Sequence, residues 1–192
     1  MPTRNLLRKQ LSNAWKNTIR ESYNKRLINT EHGLHAHFYG FLRDQFKEES
    51  LSDHRHVYFE QTFVIEGRSI RPDLVVCNDQ QIIAVVELKY APRSQLEKLR
   101  NGVTKDVESL RAFSEQTKPC LDVVRHLGPN SESGIKKYSL AKNALLCWAG
   151  VYKSPYQPLP EFLKGTDLPD SFFALHAVTS HALAPELNGL TE

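Results

Sequence analysis

Three charged side chains stand where a strand sequence would ordinarily carry apolar ones. In IRPDLVVCNDQQIIAVVELKY, residues 70–90, Asp73 opens one apolar run, and Glu87 and Lys89 close the next. An unpaired charge taken out of water costs several kcal/mol, so the placement calls for a partner or a task. Side chains alternate along a strand, so Glu87 and Lys89 share a face while Val86 and Leu88 take the other. If the run after Asp73 is the hairpin neighbour, Asp73 sits beside Glu87 on that face. Two adjacent carboxylates repel, and the arrangement is stable mainly with a cation between them. Oxygen ligands at this density suit Mg²⁺ or Mn²⁺. A lysine two residues along can reach a water on that cation, or the charge that builds on a phosphate. The chemistry in outline is hydrolysis of a phosphodiester. The rival reading is a solvated sheet edge, with Glu87 and Lys89 as a weak surface pair and Asp73 capping a turn after Pro72. Against it, Ile82–Val86 is apolar at successive positions, as in a strand buried on both faces.

The elements that must hold these residues can be read on either side. Leu7, Leu11, Trp15, Ile19, Tyr23 and Leu27 recur about every four residues and predict a long first helix. Asn29-Thr30 offers a cap for a second helix, with Leu34, Phe38, Phe41, Leu42 and Phe46 as its apolar positions. Residues 56–90 then give three strand-like runs, broken at Glu66-Gly67-Arg68 and at Asn78-Asp79, with hairpins as the natural connections. Ser94 and Glu97 form a capping box before the helical stripe Leu96, Leu99, Val103, Val107, Leu110 and Phe113. NALLCWAGVY reads as a buried strand, SFFALHAV as a further strand or short helix, and Pro155, Pro158 and Pro160 mark the loop between them. This order predicts an α/β fold with a mixed sheet and helices on its faces.

With Pro72-Asp73 on one strand, Glu87-Leu88-Lys89 on the next and a helix following, the chain resembles the PD-(D/E)XK nuclease superfamily. The resemblance spans about residues 30–152. It implies a restriction-endonuclease-like three-layer core, with a mixed central sheet flanked by helices. Residues 1–29 then form a basic N-terminal helical extension and 153–192 a C-terminal extension of a single domain. It also implies that Asp73 and Glu87 ligate the metal, with the backbone carbonyl of Leu88 as a third ligand. Lys89 would orient or activate the attacking water, and the product would be a 5′-phosphate. Many members add a glutamate from the helix before the first strand. Glu31 fits that role, three residues before Leu34 and seven before Phe38 and so on the core side of its helix. A carboxylate there either points into the site or frays into solvent.

Two further carboxylates are candidates for support. Glu60 lies between Phe59 and Phe63, either as ordinary solvent-facing alternation or as a site residue. Asp106 falls near the buried seam of the helix after Lys89, where a polar residue often supports the site in this superfamily. His32, His35 and His37 cluster near Glu31, but His35 and His37 diverge by about 200° on a helix, which does not suit zinc. They read as surface histidines, one of them near the substrate. Neither a nucleophile elbow nor a Gly-rich phosphate loop is present.

Composition sets the remaining bounds. At 192 residues, with 40% hydrophobic and 24% charged side chains, one globular domain is the default. The three scattered cysteines give neither a disulfide framework nor a clustered zinc site. Neither a membrane-length apolar run nor a signal peptide is visible, so a cytoplasmic setting is expected. The net charge of +3 is unevenly placed. Arg4, Arg8, Lys9, Lys16, Arg20, Lys25 and Arg26 face Glu21 alone in the first thirty residues. Such a basic arm is either a phosphate-backbone contact or a solvated helix face. The expectation is a Mg²⁺- or Mn²⁺-dependent nuclease acting on DNA, with sequence specificity, if any, supplied by loops or a homodimer. The competing expectations are a nucleic-acid-binding or regulatory protein of the same fold that does not cut, and a protein whose carboxylates are structural.

Overall fold

The computed structural model describes residues 2–49, 54–65, 67–93, 96–115, 120–125, 134–153, 169–179 and 185–186. Its helices are α1 (Pro2–Asn17), α2 (Glu31–Glu48) and α3 (Leu96–Glu115). The strands are β1 (His56–Phe59), β2 (Phe63–Ile65), β3 (Arg68–Ile70), β4 (Leu74–Cys77) and β5 (Gln81–Ala91), then β6 (Cys120–Arg125), β7 (Gly134–Tyr152), β8 (Phe172–Thr179) and β9 (Pro185–Glu186). The central sheet runs β1-β4-β5-β7-β8-β9, with β6 also paired to β7. β5, β7 and β8 are parallel to one another, and the β1-β4-β5 side is antiparallel. The result is the expected α/β architecture, a mixed sheet flanked by helices.

Each face of the sheet carries its own core. Leu74, Val76, Ala84, Val86 and Leu88 pack with Leu7, Leu11 and Trp15 of α1 and with Leu34, Phe38 and Leu42 of α2. Val75, Val85, Leu146 and Trp148 pack with Leu99, Val103, Leu110 and Phe113 of α3. This is why Ile82–Val86 carries no polar residue: β5 lies between two layers of helices. α2 starts where Thr30 Oγ1 accepts the Gly33 N–H at 3.0 Å, and its Leu34-Phe38-Leu42-Phe46 stripe is buried. Ser94, of the predicted capping box, lies outside the described residues.

Two features depart from the sequence reading, and a third settles an alternative it left open. The first two strand-like runs are each split, because Glu60 adopts φ 47° and Pro72 cannot donate to a ladder. Their outer halves, β2 and β3, leave the main sheet as a separate two-stranded ribbon. SFFALHAV is a strand, parallel to β7. NALLCWAGVY is only the second half of β7, whose first half pairs with β6.

The first thirty residues are not an arm. Leu11, Ala14 and Ile19 are fully buried, and Trp15 meets Phe38 edge-on at 6.3 Å between ring centroids. Past Asn17 the helix widens into a π-helical segment, Thr18–Tyr23, whose Thr18 hydroxyl donates to the Ala14 carbonyl at 2.8 Å. The basic residues scatter around this packed element. Lys25 pairs with Glu21, Arg4 donates to the Asp170 carbonyl, and Arg8 lies over the Phe173 ring. Lys9, Arg20 and Arg26 are exposed.

Candidate active site

The β4–β5 ladder ends with Leu74 opposite Val86, so the register sets Asp73 against Glu87. β5 runs on past the end of β4 for five more residues, to Ala91. Along that stretch β7 still pairs with one edge of it, but on the β4 side its backbone meets side chains instead of a strand. Leu88 N–H donates to Asp73 Oδ2 at 2.6 Å, and Tyr90 N–H donates to Glu31 Oε2 at 3.1 Å. Glu31 comes from the first turn of α2, and His35, one turn later, lies 3.7 Å from Asp73 Oδ2 through Nε2. The overhang of β5 thus gathers residues from β4, β5 and α2.

α3 closes the other side. Lys89 Nζ lies 3.9 Å from Asp106 Oδ2 and 4.0 Å from Glu31 Oε2, between a carboxylate of α3 and one of α2. Asp106 also accepts the Trp148 indole N–H at 3.3 Å. The Trp148 ring lies directly over Gly150, where a Cβ would collide with it, so glycine makes room for the ring that holds Asp106. Gly150 is the register partner of Lys89 on β7.

The electrostatics follow from burial. Glu87 is 7% exposed; burial pushes its carboxyl up to about 9, and the charges of Asp73 and Asp106 add to the rise. Burial also raises Asp73, against the pull of the Leu88 N–H, His35 and Lys89. Asp106 is raised to about 6 by burial, with Lys89 and the Trp148 bond opposing. Without a cation, Asp73 and Glu87 do not both ionise near neutral pH.

The structure therefore brings Asp73, Glu87, Lys89, Glu31 and Asp106 to one place. Glu60 adjoins them through its backbone N–H, which donates to the Asp73 carbonyl at 3.0 Å, but its side chain is turned to solvent, 3.9 Å from exposed Arg71. Two neighbours escaped the sequence reading. His35 is buried, not a surface histidine, and its Nε2 has no hydrogen-bond partner among the described residues. Its signal was the i, i+4 spacing from Glu31. Gly102 lies one turn before Asp106 on α3, where a Cβ would come within 3.1 Å of Lys89 Cε.

The donor set can be tested against a divalent cation. Among the described residues, no three His, Cys, Asp or Glu side chains are disposed to hold an ion by themselves. The fit comes from the hard oxygens of Asp73 and Glu87, whose mutual repulsion a cation would relieve, with water completing the shell as Mg²⁺ prefers. Strand geometry also points the Leu88 carbonyl to the same edge as its N–H, toward Asp73.

No protein-family model and no curated protein matches the chain. Among solved structures it is similar to E. coli MS115-1 NucC in its cAAA-bound form, at 14% identity. The likeness covers 91% of this chain and 74% of that one, with a TM-score of 0.43. A likeness of that size says nothing about the site.

Proposed function

We propose that the chain is a metal-dependent nuclease hydrolysing DNA phosphodiester bonds. The observation that carries this reading is the pairing of Asp73 with buried Glu87 beside Lys89, a charge arrangement that a cation balances and that a plain sheet edge does not need. Mg²⁺ or Mn²⁺, when bound, would polarise a water and offset charge at the scissile phosphate. Asp73 and Glu87 would hold it, with the Leu88 carbonyl as a further oxygen. Lys89 supplies a compact ammonium that orients the nucleophile and meets the negative charge developing on the phosphate. Glu31 and Asp106 fix that ammonium from opposite sides. Asp106, raised to about 6 by burial, is still mostly ionised at pH 7 and restrains Lys89 as an ion pair. Contact with the phosphate backbone falls to the exposed cations Lys9, Arg20 and Arg26, with half-buried Lys16 beside them.

The test is incubation of the purified protein with plasmid and linear DNA in Mg²⁺, Mn²⁺ or EDTA, beside Asp73→Ala and Glu87→Ala. Cleavage that requires the divalent ion and disappears in both folded variants is the expected result. Mn²⁺ binding without cleavage would support the non-cutting reading instead. Metal titration heats unchanged in both variants would remove the site altogether.

A further inference from the structure

At the other end of β5 lies a cleft of about 640 Å³ between the first turns of α1 and the sheet. Gln81, which lines it, stands six residues before Glu87, or about 20 Å along an extended strand. The cleft is therefore separate from the candidate active site. Among the described residues, three arginines line it, Arg4, Arg8 and Arg55, against one carboxylate, that of Asp170.

Arg55 is the unusual member. It is 7% exposed, yet its Nε is buried without a partner among the described residues. A buried guanidinium N–H without a partner is costly unless an acceptor meets it. The carboxylate that favours its charge is that of Asp79, whose oxygens also face His54 at 3.0 Å and His56 at 3.8 Å. Arg8 Cζ lies over the Phe173 ring, 4.9 Å from its centroid, a contact that does not use up the N–H groups of a guanidinium. Arg4 is anchored through one N–H to the Asp170 carbonyl at 2.7 Å. Guanidinium forks match phosphate oxygens. Phosphate alone would fill little of the volume, which lies in the range of small-molecule sites. The remaining wall combines the amides of Asn78 and Asn143 with the apolar Leu145, suited to the edge and face of a base.

We propose that this cleft binds a phosphate ester of nucleotide size, with Arg8 and Arg55 meeting the phosphate. The phosphate belongs either to a free nucleotide or to a nucleic-acid backbone, and the experiment separates the two. The full chain is titrated with AMP in EDTA, so that binding is read without turnover and independently of any nuclease activity. Saturable one-site binding is expected, competed by inorganic phosphate and weakened about tenfold or more in Arg8→Ala and Arg55→Gln. Arg68→Ala, on the exposed β3 strand, should leave it unchanged. Competition by a short DNA duplex, lost in the same variants, assigns the phosphate to a nucleic-acid backbone. AMP binding that the duplex does not displace assigns it to a free nucleotide. If Arg55→Gln does not fold, Arg8→Ala decides, since its side chain is only half-buried. No saturable binding of AMP or duplex, or parent affinity in both variants, overturns the proposal.

Discussion

Replacing Glu87 with glutamine should stabilise the metal-free protein, and by an amount that grows with pH. The Glu87 carboxyl is raised from 4.5 to about 9 in the folded chain. Between those values the folded state holds a proton that the unfolded state has released. More protons on the native side means that stability falls as pH rises through this window. At pH 7 the cost has accumulated over about 2.5 pH units, or about 3 kcal/mol at 1.36 kcal/mol each. Glutamine mimics the protonated acid, its amide able to donate toward Asp73, and it never ionises in the unfolded chain. The penalty should therefore vanish in Glu87→Gln.

For a chain of this length the gain corresponds to a Tm rise of about 6–12 °C at pH 7. Near pH 5 little of the window has been crossed, so the gain should fall below about 1 kcal/mol. The assay is thermal and urea unfolding of both proteins in EDTA at pH 5, 7 and 8. Added Mg²⁺ should then stabilise the parent more than the variant, since only the parent offers the second carboxylate. A variant no more stable than the parent at pH 8, or a gain equal at pH 5 and pH 8, would refute the reasoning.

Substitutions at three other positions, with one deletion, test the site and the packing of α1. Lys89→Ala should leave Mn²⁺ affinity intact or slightly raised, while single-turnover cleavage falls by about 10²–10³; Lys89→Arg should recover only part of the loss, because it keeps the charge without the compact ammonium. Gly102→Ala should hold or raise stability by up to about 1 kcal/mol through helix propensity, yet lower cleavage by pressing on Lys89 Cε, which separates positioning from folding in one variant. Trp15→Ala should cost about 3–5 kcal/mol in urea unfolding, and deletion of residues 1–30 should abolish cooperative unfolding, an outcome that a detachable DNA-binding arm would not give.

What could be read from the sequence was what periodicity encodes. The stripes of α2 and α3 and the apolar run of β5 declare burial directly, because one face or both must avoid water. Asp73, Glu87 and Lys89 were legible as a group because strand alternation fixes their faces without any loop geometry. Periodicity does not encode what a backbone break does. The divided runs turn on Glu60 in a positive-φ conformation and on a proline, neither of which says where the chain goes next. The first half of β7 was missed because GIKKYSLA mixes lysines with apolar residues, as a sheet margin does. The seven basic residues did not say where their helix lies: its apolar face fills the core, and Leu11 at 0% exposure outweighs Arg8 in placing it.

Pro72 gives the Pro-Asp pair a physical meaning independent of any motif. Continued by two residues beyond Leu74 opposite Val86, the β4–β5 ladder would set Pro72 against Leu88. Proline has no N–H to offer the Leu88 carbonyl, so the ladder stops one step short and β5 projects beyond it. An overhanging edge leaves backbone amides that must find acceptors. Here they find carboxylates, Asp73 at Leu88 and Glu31 at Tyr90, and each carboxylate is thereby fixed at the strand end. Fixing Asp73 in this way brings it against Glu87, and fixing Glu31 brings it within 4.0 Å of Lys89. The same break that ends a strand thus assembles the charges, at the cost of a buried acid that holds its proton until something positive takes its place.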